Sequence, residues 1–169
     1  METHLQGVSI TVSPPDSISR SFDAIVEEQD TALVLDIEPV IRQPEENYSA
    51  LVDEMIEQQP LIPGDVIVRT GRPLRFLAVI HDLDQDPSCN AGSIAVALEN
   101  LLRKLTEYRV HSVAMPLLGT VHGRFDDEIF MTLLYNAMLN EPLQYTEHLW
   151  LITAAENCER ILRHIHKGR

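Results

Sequence analysis

Met115-Pro116-Leu117-Leu118-Gly119-Thr120-Val121-His122-Gly123-Arg124-Phe125 follows a short apolar run, His111 to Ala114, and precedes Asp126-Asp127. The apolar run reads as a buried strand, and the paired aspartates open an amphipathic helix. A strand, a loop with two glycines and a helix N-terminus are a recurring way to present backbone N–H groups to an anion. Upstream of this stretch, Arg75 to His81 reads as another strand. It leads through an acidic loop into a helix from about Ala91 to Tyr108, with Ile94, Leu98, Leu101, Leu102 and Leu105 on one face. Downstream, the helix from Asp126 to Asn140 turns Phe130, Leu133, Leu134 and Ala137 inward. A strand over Leu149 to Ile152 follows, and a last helix over Ala155 to His166 carries Cys158, Ile161, Leu162 and Ile165. Three successive βα units predict neighbouring parallel strands joined by right-handed crossovers.

The N-terminal part is patterned differently. Leu5 to Val12 alternates as a strand and ends at Ser13-Pro14-Pro15-Asp16. Phe22 to Val26 and Thr31 to Leu35 flank Glu27 to Asp30 and read as a β-hairpin, with a short helix over 18–26 as the alternative. Pro44-Glu45-Glu46 opens a helix that carries Tyr48, Leu51, Val52, Met55 and Ile56 and stops at Pro60 and Pro63-Gly64. Asp65 to Arg69 and Arg75 to His81 form a second hairpin through Thr70 to Leu74. The expected fold is a single α/β domain over 1–169, three-layered, with a mixed sheet covered by helices. Its N-terminal part is antiparallel and its C-terminal part parallel.

A chain of 169 residues suits one domain with a proper core. Thirteen basic against 26 acidic residues give a formal charge of −13. That field repels nucleic acid and anionic membranes, so neither is an expected partner. It also repels a phosphorylated ligand at long range, which must then depend on local backbone donors. No apolar run reaches membrane-spanning length. Met1-Glu2-Thr3-His4 has neither the basic flank nor the apolar core of a signal peptide, and the expectation is a soluble, cytoplasmic protein. Cys89 and Cys158 sit in no metal or redox spacing and read as two reduced thiols.

Ligands of open α/β sheets bind beyond the carboxyl ends of the parallel strands. That rule selects two loops, His81 to Cys89 and Pro116 to Phe125. In the second, Gly119 and Gly123 permit close approach of a ligand and the following helix adds partial positive charge. Asp126 and Asp127 compete for the same donors as helix caps. The first loop, with His81, Asp82, Asp84, Asp86 and Cys89, could hold a divalent metal together with His122. Solvated carboxylates in an ordinary turn are the plainer reading, and neither a metal nor a cofactor is expected. His122 is the acid–base candidate, since its unperturbed pKa lies near neutrality. Thr120 is placed to orient a phosphate or a water. The competing reading has His122 simply packing and hydrogen-bonding against the His81 loop.

Val79-Ile80-His81, the leucine-rich helix, Ser112-Val113-Ala114-Met115-Pro116-Leu117-Leu118-Gly119-Thr120 and Gly123 resemble the second half of macro domains. These are ADP-ribose-binding α/β modules, also found as the non-catalytic N-terminal part of leucine aminopeptidases. The resemblance runs from about Gly64 to Asn140 and more faintly through the last strand and helix. It implies that the loop wraps a diphosphate, carried here onto Gly119, Thr120, Val121, His122 and Gly123, with His81 and Asp82 beside it. Three features depart from the family. Val121 (or Thr120, by register) stands where a glycine is usual, and a β-branched residue enters the left-handed region only at a cost. Glu27-Glu28-Gln29-Asp30 replaces the Asn-Ala-Ala-Asn stretch that holds the distal ribose. Gly7-Val8-Ser9-Ile10 stands where an adenine-contacting aspartate is expected.

Three functions follow as expectations. The first is a module binding a nucleotide or phosphorylated metabolite, ADP-ribose-like, at the 119–123 loop. The second is a hydrolase of the same fold using His122 with His81 or Asp82. The third is a non-catalytic module with a vestigial pocket that meets a protein partner. The first requires the turn after the penultimate parallel strand to aim main-chain donors into an open crevice.

Overall fold

The computed structural model describes residues 2–18, 20–35 and 61–167. The strands are β1 (Glu2–Leu5), β2 (Val8–Ser13), β3 (Ala24–Asp30), β4 (Val66–Arg69), β5 (Leu74–His81), β6 (Ser112–Pro116) and β7 (His148–Ile152). The α-helices are α1 (Ala91–Glu107), α2 (Asp127–Asn140) and α3 (Cys158–Lys167). The strands form one sheet in the order β1-β2-β7-β6-β3-β5-β4. β2, β7, β6, β3 and β5 run parallel, and β1 and β4 pair antiparallel at the two edges. The mixed α/β sheet expected from the sequence is present, including the hairpin of β4 with β5.

Two local expectations are corrected. The segment after Asp30 is a turn, not the return strand of a hairpin. β3 runs parallel between β5 and β6, so the sheet's centre is built from a segment read as its edge. β5 and β6 are consequently not neighbours, because β3 lies between them. The reason is packing: Ala24, Ile25 and Val26 are all buried to 1% exposure or less, which a two-stranded hairpin cannot achieve. Leu5 to Val12 is likewise two strands with a tight turn at Gln6-Gly7, where Leu5 pairs with Val8. The helix expected from Pro44 lies outside the described residues.

The first two helices begin where their sequences say they should, whereas the last, expected from Ala155, opens with a 3-10 turn over Ala155–Asn157 and becomes α-helical only at Cys158. Asn90 caps α1, accepting from the Ser93 N–H while the Ser93 hydroxyl accepts from the Asn90 N–H. Ile94, Leu98, Leu101, Leu102 and Leu105 are almost entirely buried, each worth about 1.5–3 kcal/mol relative to exposure. They join Phe130 and Leu134 of α2, Ile161 of α3 and the alternate side chains Phe76, Ala78 and Ile80 of β5 in one core. Among the described residues, the other face of the sheet carries two smaller clusters, Phe22-Ile25-Ala114-Ile152 and Leu33-Ile67-Leu77-Val79. Every parallel strand ends on the same edge, which brings the loops after β3, β5, β6 and β7 together there. Among the described residues no helix is long and apolar enough to cross a membrane.

Candidate functional site

The 117–126 loop leaves β6 at Pro116 and enters α2 at Asp126. It first closes on itself. Thr120 donates both its N–H, at 3.1 Å, and its hydroxyl, at 2.7 Å, to the Leu117 carbonyl, and the Phe125 N–H donates to the Gly119 carbonyl at 3.2 Å. The Thr120 hydroxyl proton is therefore committed to the turn and is not aimed at a ligand. Gly119 alone in the loop takes a positive φ, +83°. Val121 does not, so the β-branched side chain carries no left-handed strain there. A Cβ on Gly123 would lie 2.5 Å from the Gly119 carbonyl oxygen and 2.8 Å from Cys89 Sγ. The second glycine is thus required for close packing within the protein.

The inner donors of the turn meet a carboxylate from the centre of the sheet. Glu28, near the end of β3, accepts from the Gly119 N–H at 2.9 Å through Oε2 and from the His122 N–H at 2.8 Å through Oε1. His81 Nε2 lies 3.1 Å from Oε1, and His81 Nδ1 lies 2.9 Å from the Ser88 hydroxyl. The arrangement that satisfies every atom has Nε2–H donating to Glu28 and Nδ1 accepting from Ser88. The Glu28 and His81 side chains are 2% and 1% exposed. A buried carboxylate persists only when its oxygens are paired, and here three N–H groups pair them. Gly119 and His122 therefore do not point donors into an open crevice, as the sequence reading required. Those donors are held by Glu28.

The helix terminus is also closed. Asp126 Oδ1 accepts from the Glu128 and Ile129 N–H groups at 2.8 and 3.0 Å, so the cap takes donors that an anion would otherwise use. Asp127 is paired with Arg160 of α3.

Of the expected residues, the structure brings together His81, Gly119, His122 and Gly123. The His81 and His122 rings stand edge to face, 6.4 Å apart. His122 itself is exposed, and its imidazole makes no hydrogen bond or ion pair among the described residues. Asp82 stands apart: its N–H closes the acidic loop on the Ser88 carbonyl at 2.7 Å and its carboxylate accepts from the Asp84 N–H. Among the described residues no group of three His, Cys, Asp or Glu side chains is placed to hold a metal ion. Gly7 closes the β1–β2 turn and Val8-Ser9-Ile10 begin β2, at the edge of the sheet away from the loops, whereas Ser13-Pro14-Pro15 stands at the carboxyl edge. Cys89 is buried beside the turn, and burial first, then the Glu28 charge, pushes its thiol above the ordinary value.

On the side of the loop formed by Thr120 to Phe125 an open cleft of about 470 Å³ remains. Thr120, Val121, Gly123, Arg124, Phe125 and Asp127, the last neutralised by Arg160, line one side, and Ile152, Thr153, Ala154 and Asn157, with Pro15, the other. The N–H groups of Val121, Gly123 and Arg124 make no hydrogen bond among the described residues. Glu28 and Arg124 are the residues that sequence reasoning did not single out. Alternation along β3 carries a signal for Glu28, since it shares parity with the inward Ala24 and Val26 at the carboxyl end of a strand.

A family model described as Macro domain matches residues 42–133, more than half of the chain. No curated protein matches. A point mutant of the Oceanobacillus iheyensis macrodomain, solved with ADPR, superposes with a TM-score of 0.77 at 12% identity, covering 99% of this chain and 97% of that one. The macrodomain of Thermus aquaticus DarG gives 0.67 at 20% identity, over 86% and 98% of the two chains. The Trypanosoma brucei macrodomain, in complex with ADP, gives 0.69 at 10% identity over 95% and 69%.

Proposed function

Because the chain belongs to the macro domain family, we propose that it binds a nucleotide or other small phosphorylated metabolite, seated in the cleft between the 120–125 loop and the end of β7. The observation that carries this reading is the cleft itself. Its volume of about 470 Å³ lies within the range of small-molecule sites. Arg124 supplies a local cation in a chain of net charge −13, and the backbone donors of Val121, Gly123 and Arg124 are uncommitted. Related folds solved with ADPR and with ADP support the ligand class. The seat differs from the one expected at sequence level: the ligand's phosphate sits outside the turn, against Arg124, and not within it.

Calorimetry with AMP, ADP and ADP-ribose on the wild type and on Arg124→Ala tests the proposal. Binding of at least one nucleotide, weakened about tenfold or more by the substitution, is the expected result for loss of a charge-assisted contact. Absence of binding at millimolar concentration of all three would sink it. The occupied inner donors favour a second reading in that event, a non-catalytic module whose cleft is vestigial and whose partner is a protein. A hydrolase using His122 has less support, because a general base needs an orienting partner and the His122 imidazole has none among the described residues.

A further inference from the structure

The carboxylate inside the 119–123 turn bears on which phosphorylated ligands the cleft accepts. We infer that Glu28 is the specificity determinant of this site: it fills the inner anion seat with the chain's own carboxylate and restricts the cleft to ligands presenting a single phosphate at its mouth. The inference rests on the reading that the cleft takes a phosphorylated ligand.

The argument is geometric. A phosphate held by the Gly119 and His122 amides would place its oxygens about 2.7–2.9 Å from those nitrogens. Glu28 Oε2 and Oε1 already stand at 2.9 and 2.8 Å from them. Carboxylate and phosphate oxygens cannot share those positions, and two anions in contact repel. Glu28 is also not free to swing aside. Its withdrawal would break the bond to His81 Nε2 and strand a histidine that is 1% exposed and fixed from the other side by Ser88. A diphosphate whose second phosphate reached for the Gly119 and His122 amides would therefore meet the Glu28 carboxylate already on them. A monophosphate stopping at Arg124 would not.

Amide NMR titration with AMP, ADP and inorganic pyrophosphate tests this on the wild type, on Glu28→Ala and on Glu28→Gln. In the wild type AMP binds at least as tightly as ADP, and pyrophosphate leaves the Gly119 and His122 amides unmoved. In Glu28→Ala the affinity for ADP and for pyrophosphate rises tenfold or more, with shifts at those two amides. Glu28→Gln keeps the side chain's volume and gains less. Wild-type ADP binding tenfold tighter than AMP, with Gly119 and His122 shifting, overturns the inference, as does a folded Glu28→Ala that gains no pyrophosphate binding. Should Glu28→Ala fail to fold, the wild-type pyrophosphate titration decides alone. Failure of the cleft reading looks different: no nucleotide shifts any cleft amide of the wild type, while the gain of pyrophosphate binding in Glu28→Ala still reports on Glu28.

Discussion

At the residue scale, two glycines separate backbone strain from packing. Gly7 and Gly119 both take φ of +83°, but a Cβ on Gly7 meets nothing within 4 Å, whereas one on Gly119 lies 2.8 Å from Ile94 Cδ1 and 3.0 Å from Phe125 Cβ. Gly7→Ala is expected to lose only the left-handed penalty, about 1–2 kcal/mol. Gly119→Ala adds overpacking and should lose about 1–3 kcal/mol more. Urea titration of the two variants checks this, and equal losses would contradict it. Cys89 gives a second test. Its thiol is raised by burial and by the Glu28 charge, so the folded state holds that proton more tightly than the unfolded chain. The stability this contributes is fully present below the unfolded thiol value, about pH 8.5. It is lost as the pH rises from there through the folded value. Cys89→Ala should show a shallower loss of stability than the wild type above pH 8.5, and identical slopes would refute the argument. Gly119 and Gly123 were legible from their spacing. Glu28 was not, because Glu27-Glu28-Gln29-Asp30 has the composition of a solvated turn. Its parity with Ala24 and Val26 becomes informative only once β3 is known to continue through it, paired with β5 at Ala78.

Elements were legible wherever the pattern is local. The cap Asp126, the apolar stripe of α1 and the runs of β5, β6 and β7 need no distant partner to be recognised. β3 is the counter-example, since its neighbours β5 and β6 follow it by about 50 and 90 residues and nothing local announces the pairing. The cap of α2 is the most exposed of these local features to test, because Asp126 alone takes the Glu128 and Ile129 donors. Asp126→Ala should lower stability by about 1 kcal/mol, while Asp126→Asn, which keeps a side-chain acceptor, should lose a few tenths. Denaturant midpoints at constant slope would show the difference, and an alanine variant as stable as the asparagine variant would count against the cap.

At the scale of the whole molecule, charge is the property the sequence states outright, and salt is the lever on it. Acidic residues outnumber basic ones by thirteen, and a compact state suffers more from that surplus than an expanded one. Opposing this, salt also screens attractive pairs. Arg103–Glu141 and Arg160–Asp127 join surface groups, and such pairs contribute about 0–1 kcal/mol each. Arg75–Glu27 is nearly buried, with side chains 5% and 16% exposed, and is screened little. Raising the ionic strength from about 0.01 to 0.15 M shortens the Debye length from about 30 to 8 Å. That removes repulsion across the molecule while sparing contacts a few ångströms long. Stability should therefore rise with sodium chloride over this range, and AMP affinity should hold or rise, since long-range repulsion is screened while the Arg124 contact is short. Urea midpoints and calorimetric titrations at the two ionic strengths measure both quantities. A fall in stability with salt would mean that the ion pairs outweigh the surplus, and a steep fall in AMP affinity would mean that the ligand is held by diffuse attraction, which a chain of this charge does not supply.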